Sequence, residues 1–156
     1  MISKDEILMG HDVTFASEYT TEISANLDQL VKAMNVVRLI FNKPMTVASG
    51  WRPPSYNATV RGAAGHSKHT MGLACDIHDP NGEVRRFVLS RLDLMQNIGF
   101  YFEDFRWTAG WVHFQLAPPA SGKRIFIPYS DIVKNPMTNA LAWSGFYESS
   151  LDSSIA

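Results

Sequence analysis

The chain has almost no cysteine, almost no charge imbalance and no long apolar run, and each absence excludes a class of protein. Cys75 is the only cysteine among 156 residues, so neither an intramolecular disulfide nor a multi-cysteine zinc site can form. Fourteen Lys and Arg stand against 15 Asp and Glu, a formal net charge of −1. That balance supplies no overall attraction to nucleic acid or to an anionic membrane. Nearly apolar stretches such as Val36-Val37-Arg38-Leu39-Ile40-Phe41 fall far short of the ~20 residues of a membrane span. The start, Met1-Ile2-Ser3-Lys4-Asp5-Glu6, carries two acids where a secretory signal has a basic stretch and then an apolar one. The expectation is a chain made in the cytoplasm without a signal peptide. Internal repeats and low-complexity linkers are also missing.

What is present is globular. At 46% hydrophobic and 19% charged residues the chain is too apolar for disorder. Its length suits one domain of roughly 150 residues. A chain of that size buries roughly two-thirds of its unfolded surface without help from a metal, so any bound metal is expected to be functional rather than structural.

Periodicity sets out the elements. The first 19 residues lack a clean period and read as an irregular lead-in with at most one short element. Over residues 20–42, Ile23, Leu27, Leu30, Val31, Met34, Val37 and Phe41 recur at helical spacing. Thr20 or Thr21 can cap that helix and Pro44 stops it. Residues 45–49 read as a strand and residues 55–68 as a loop. Residues 72–78 alternate, so that Cys75 and Ile77 face one side of a strand while Asp76 and His78 face the other. After a turn at residues 79–82 a single helix is expected to about Asn97, with Gly99 as its C-cap. Residues 100–105 and 111–116 read as two strands, the second with Trp111, His113 and Gln115 on one face. Arg85, Arg86, Lys123 and Arg124 read as solvated surface. The fold expected is α+β, a single small domain with helices on a mainly antiparallel sheet. Residues 1–117 would form that domain and residues 118–156 a C-terminal extension or docking tail.

The chemistry concentrates in two histidines and an acid. His69 and Asp76 are seven residues apart with Gly72 between them, and His113 arrives on a later strand. Two imidazoles and a carboxylate make a three-ligand zinc site that keeps a fourth position for water. The same donor set serves non-haem iron oxygenases, but their close pair is His-x-Asp, which six intervening residues do not match. Cys75 faces away from Asp76 with no base beside it, so it reads as a small core residue rather than a nucleophile.

These residues sit in an ordered string: Ser49-Gly50-Trp51-Arg52-Pro53, then Ser67-Lys68-His69-Thr70-Met71-Gly72-Leu73-Ala74-Cys75-Asp76-Ile77, then Gly110-Trp111-Val112-His113. The string resembles the zinc peptidases of the D-alanyl-D-alanine carboxypeptidase and phage L-alanyl-D-glutamate endopeptidase family. The resemblance runs from about Ser49 to Gln115. It implies Zn2+ as cofactor, with His69, Asp76 and His113 as its ligands. Arg52 would bind a substrate carboxylate or carbonyl oxygen, and Ser67 would orient a ligand or contact substrate. The implied substrate is the peptidoglycan stem peptide, cut at a bond involving a D-amino acid. The setting would be a phage endolysin or a virion-associated wall hydrolase acting after release. Trp51 and Trp111 would wall the site or fill the core.

Two positions depart from the family pattern. Gly110 stands where many members have a carboxylate base three residues before the distal histidine, which leaves His66, His78, Glu103 and Asp104 as candidate bases. Gln115 stands where related sequences often have an aspartate, and is expected to disturb the orientation of His113. The alternative reading is a non-catalytic virion structural or assembly protein on the same fold, with other virion proteins as partners.

Overall fold

The computed structural model describes residues 1–128 together with Lys134, Asn135 and Met137. Chain contacts divide it into two units, Met1–Ile77 and His78–Ala156.

The first unit begins with more structure than its sequence period suggests. Helix α1 (Lys4–Leu8) is closed by a capping box, in which Ser3 accepts the Glu6 N–H and Glu6 accepts the Ser3 N–H. Helix α2 (His11–Thr14) and a 3-10 turn (Ala16–Glu18) follow. Each is too short to display a 3.6-residue period, which is why the stretch reads as irregular. Helix α3 (Thr21–Phe41) starts where Thr20 Oγ1 accepts the Ile23 N–H at 3.2 Å. It buries Leu27, Leu30, Met34 and Val37 and ends at Asn42, whose φ of 56° is left-handed. Strand β1 (Val47–Ser49) leads to α4 (Pro54–Asn57), a single turn where a loop is expected, with Pro54 at its first position. A 3-10 turn (Lys68–Met71) precedes β2 (Ala74–His78). β1 runs antiparallel to β2, with Val47 opposite Ile77 and Ser49 opposite Asp76. Trp51 is fully buried with Ile7, Cys75 and Ile77.

In the second unit the expected single helix is two, α5 (Glu83–Ser90) and α6 (Leu92–Ile98), broken at Arg91 with φ −134°. Ser90 Oγ donates to the Phe87 carbonyl at 2.7 Å, a side-chain bond that competes with the helical ladder. Gly99 closes α6 as expected. Asp79 is buried and accepts the backbone N–H groups of Val84 and Arg85 and the Arg85 Nε–H at 3.0–3.1 Å. Arg85 is therefore a buried partner and not the solvated residue expected. Arg124 likewise lies over the Tyr101 ring at 3.9 Å and donates to the Phe100 carbonyl.

Strands β3 (Tyr101–Glu103) and β4 (Trp111–Gln115) pair antiparallel, with Phe102 opposite Phe114. Strand β5 (Ile125–Phe126) pairs parallel to β3. Phe114 meets Phe100 and Phe102 edge to face at 5.2 and 5.0 Å, the favoured aromatic geometry. The five strands follow the order β1-β2-β4-β3-β5, so the fold is α+β on a mainly antiparallel sheet. Most of the expected 118–156 extension lies outside the described residues. No helix among the described residues is long and apolar enough to cross a membrane.

Candidate metal centre

His69 is carried on the 3-10 turn between α4 and β2. Ser67 caps that turn: its Oγ accepts the His69 N–H at 3.3 Å, and its carbonyl accepts from Thr70 Oγ1 at 2.6 Å. The His69 side chain is 1% exposed, and its Nδ1 lies 2.7 Å from the Gly50 carbonyl oxygen. A carbonyl only accepts, so Nδ1 carries a proton and Nε2 is the nitrogen left to face a ligand. That Nε2 lies 3.3 Å from Asp76 Oδ1 on β2. That spacing suits a cation held between the two atoms, as it would a proton on Nε2. Two ligand atoms about 2.0–2.1 Å from one tetrahedral ion stand roughly 3.3 Å apart, so the pair fits a bound zinc.

His113 is buried on β4, with its Nε2 2.9 Å from Gln115 Oε1. The Gln115 amide nitrogen donates to the Ala117 carbonyl at 2.6 Å, which identifies the atom facing His113 as the oxygen. His113 Nε2–H is then the donor, and Nδ1 is the nitrogen left to face a ligand. Gln115 therefore orients the imidazole, the reverse of the disturbance expected of it, because its amide oxygen accepts a proton as an aspartate would. His69, Asp76 and His113 each offer one ligand atom, and these three atoms lie within 4.8 Å of one another. Two neutral nitrogens and one carboxylate oxygen could hold a divalent ion and leave a coordination position for water.

The segment behind His69 is held closely. Trp51 N–H donates to the Ile7 carbonyl at 2.8 Å, and Arg52 N–H donates to the His69 carbonyl at 3.1 Å. Trp51 Nε1–H donates to the Thr70 carbonyl at 3.2 Å. A Cβ at Gly50 would stand 1.9 Å from the Ile7 oxygen, so only glycine admits α1 at that distance. Arg52 is half-buried. Trp51 is core, while Trp111 is half-buried.

Among the candidate bases, Asp104 is fully buried and accepts from Arg106 Nε at 2.9 Å, Nη2 at 2.6 Å and the backbone N–H at 3.0 Å. That carboxylate holds a turn and has no proton-transfer role open to it. His66 and His78 are exposed and Glu103 is half-buried. Gly110 has φ +85° with open space where a Cβ would be, and its carbonyl accepts the Asp79 N–H at 2.7 Å. Its backbone conformation favours glycine at this position. Burial pushes the Cys75 thiol far above its ordinary range, with the Asp76 charge adding to the effect, so Cys75 stays a protonated core residue.

Gly50, His11 and the orienting role of Gln115 escape the sequence reading. A Gly-Trp pair does not reveal which carbonyl turns towards an imidazole, and Gln115 carried a signal only through its two-residue spacing from His113. No curated protein and no solved structure matches the chain. A family model described as Peptidase M15 matches residues 7–114, which span the site from Ile7 to His113.

Proposed function

The chain belongs to the M15 peptidase family, and on that premise we propose that it is a zinc peptidase that hydrolyses a peptidoglycan stem-peptide bond involving a D-amino acid. His69 through Nε2, Asp76 through Oδ1 and His113 through Nδ1 would be the ligands. The observation that carries the reading is that one ligand atom from each of His69, Asp76 and His113 lies within 4.8 Å of the others, while Gly50 and Gln115 each accept an N–H from one of the two imidazoles. When bound, zinc lowers the pKa of its water and polarises the scissile carbonyl.

The chain's own residues do the rest. Arg52 offers a planar fork of donors to the substrate's carboxylate or carbonyl oxygen. Ser67 holds the turn that presents His69. With Gly110 lacking a side chain and Asp104 occupied, proton transfer falls to His66, His78 or Glu103. A positioned base contributes about 10²–10⁴-fold, so the single variant that loses that factor identifies the group. The setting we propose is phage-directed wall degradation, which rests on the motif resemblance. Gly110 favours a second reading, a metal-binding virion protein that does not turn over.

Incubation of the zinc-loaded chain with defined muropeptides, followed by mass spectrometry, separates the two. The peptidase reading predicts cleavage at one stem-peptide bond by the wild type and none by His113→Ala. Intact muropeptides after wild-type treatment would overturn it and leave the non-catalytic protein.

A further inference from the structure

The first unit holds a histidine that the metal centre does not use. His11 opens α2 and packs against the rings of Phe15, Trp51 and Tyr56, with centroids 5.7, 6.5 and 4.5 Å away. Its Nδ1 lies 2.7 Å from the Trp51 carbonyl oxygen, and because that oxygen only accepts, Nδ1–H is the donor. The Trp51 N–H meanwhile donates to the Ile7 carbonyl. Both polar backbone groups of Trp51 are thus satisfied from the N-terminal helices, one by a carbonyl of α1 and one by an imidazole of α2.

The geometry beyond Trp51 gives that imidazole a role. The peptide group joining Trp51 to Arg52 is planar and rigid, with the Trp51 oxygen on one edge and the Arg52 N–H on the other. His11 holds the first edge and the His69 carbonyl holds the second at 3.1 Å. One residue earlier, the Gly50 carbonyl takes the His69 Nδ1 proton. Rotation of that plane would swing the Arg52 side chain and loosen the backbone behind His69. Burying a ring beside Phe15 and Tyr56 asks only for an aromatic residue. Donating to the Trp51 oxygen asks for an N–H at that point.

We infer that His11 is a positioning residue, which by donating Nδ1–H to the Trp51 carbonyl fixes the peptide plane that aims Arg52 at the substrate. This rests on the reading of Arg52 as the group that receives a substrate carboxylate or carbonyl oxygen. It assigns the N-terminal helices to the substrate-binding apparatus, since α1 and α2 grip the two sides of one tryptophan.

Two substitutions separate the hydrogen bond from the packing. His11→Phe keeps an aromatic ring and removes the donor, whereas His11→Asn keeps a donor close to the place of Nδ1. The zinc-loaded variants are compared by amide hydrogen exchange at Arg52, read by NMR, and by KM and kcat on a cleavable muropeptide. His11→Phe is expected to speed exchange at Arg52 and raise KM by about three- to tenfold, the range of one net hydrogen bond, with kcat little changed. His11→Asn is expected to recover most of both. In an Arg52→Ala background, His11→Phe should add nothing further to KM. Unchanged exchange and KM in His11→Phe, an Asn variant no better than Phe, or an equal KM penalty without Arg52 would each overturn the assignment. If the zinc-loaded wild type cleaves no muropeptide, the peptidase reading falls by itself. Exchange at Arg52 then decides the positioning: acceleration in His11→Phe with recovery in His11→Asn upholds it, and no change overturns it.

Discussion

The proposed metal centre depends on which nitrogen of each imidazole faces the ion, and atoms outside the proposed ligand set bear on that choice. Gln115 does so for His113. Gln115→Leu removes the acceptor, and zinc affinity measured by competition with a chromophoric chelator is expected to fall about 10–100-fold, with the fold retained. An unchanged affinity would show that the imidazole is oriented by other means. Cys75 gives a second check. With its thiol held protonated by burial, it should resist alkylation by iodoacetamide in the native chain and react fully once the chain is unfolded. The three proposed ligand residues can be picked out from the sequence, because side-chain identity, order and spacing are sequence properties. Their acceptors are less legible there, since the Gly50 oxygen belongs to the backbone and its direction depends on the approach of α1.

At the scale of elements, α1 shows how much a short helix can govern. A methyl group at position 50 would collide with the Ile7 carbonyl. Gly50→Ala is therefore expected to cost about 1–3 kcal/mol by overpacking and to lower the thermal midpoint by roughly 2–12 °C. The same helix carries a pH signature. The Ser3 backbone N–H and hydroxyl hold the Glu6 carboxyl below its ordinary value of 4.5. A group whose pKa is depressed by folding stabilises fully above its unfolded value, and that contribution is lost as pH falls through the folded one. Glu6→Gln should thus lower the thermal midpoint at pH 7, and the gap from wild type should close as pH drops below 4.5. A gap that persists in acid would remove the charged capping bond from the account. Long elements such as α3 were readable because several turns repeat one apolar face. The capping box at Ser3 and Glu6 was the overlooked signal for α1. The break at Arg91 was hidden because Leu92 and Met95 continue the apolar spacing of α5 across it.

For the molecule as a whole, the core is built from side chains without a metal, through Trp51, Ile7 and Leu30 in one unit and Phe100, Phe102 and Phe114 in the other. Removal of zinc with a chelator should therefore leave the far-ultraviolet circular dichroism at 25 °C unchanged. Restoring free zinc to about 100 times its Kd should raise the thermal midpoint by roughly 5–10 °C. Collapse of the secondary structure on chelation would make the metal structural, against the expectation drawn from chain length. The α+β class followed from mixed helical and alternating periods, but the parallel pairing of β5 with β3 did not. A two-residue strand has no period, and its partner is chosen by packing far along the chain.

Crystals grown with zinc and measured at the zinc absorption edge test the central claim most directly. The account predicts one anomalous peak about 2.0–2.2 Å from His69 Nε2, Asp76 Oδ1 and His113 Nδ1. A peak bound elsewhere, or none at this cluster under saturating zinc, would contradict it.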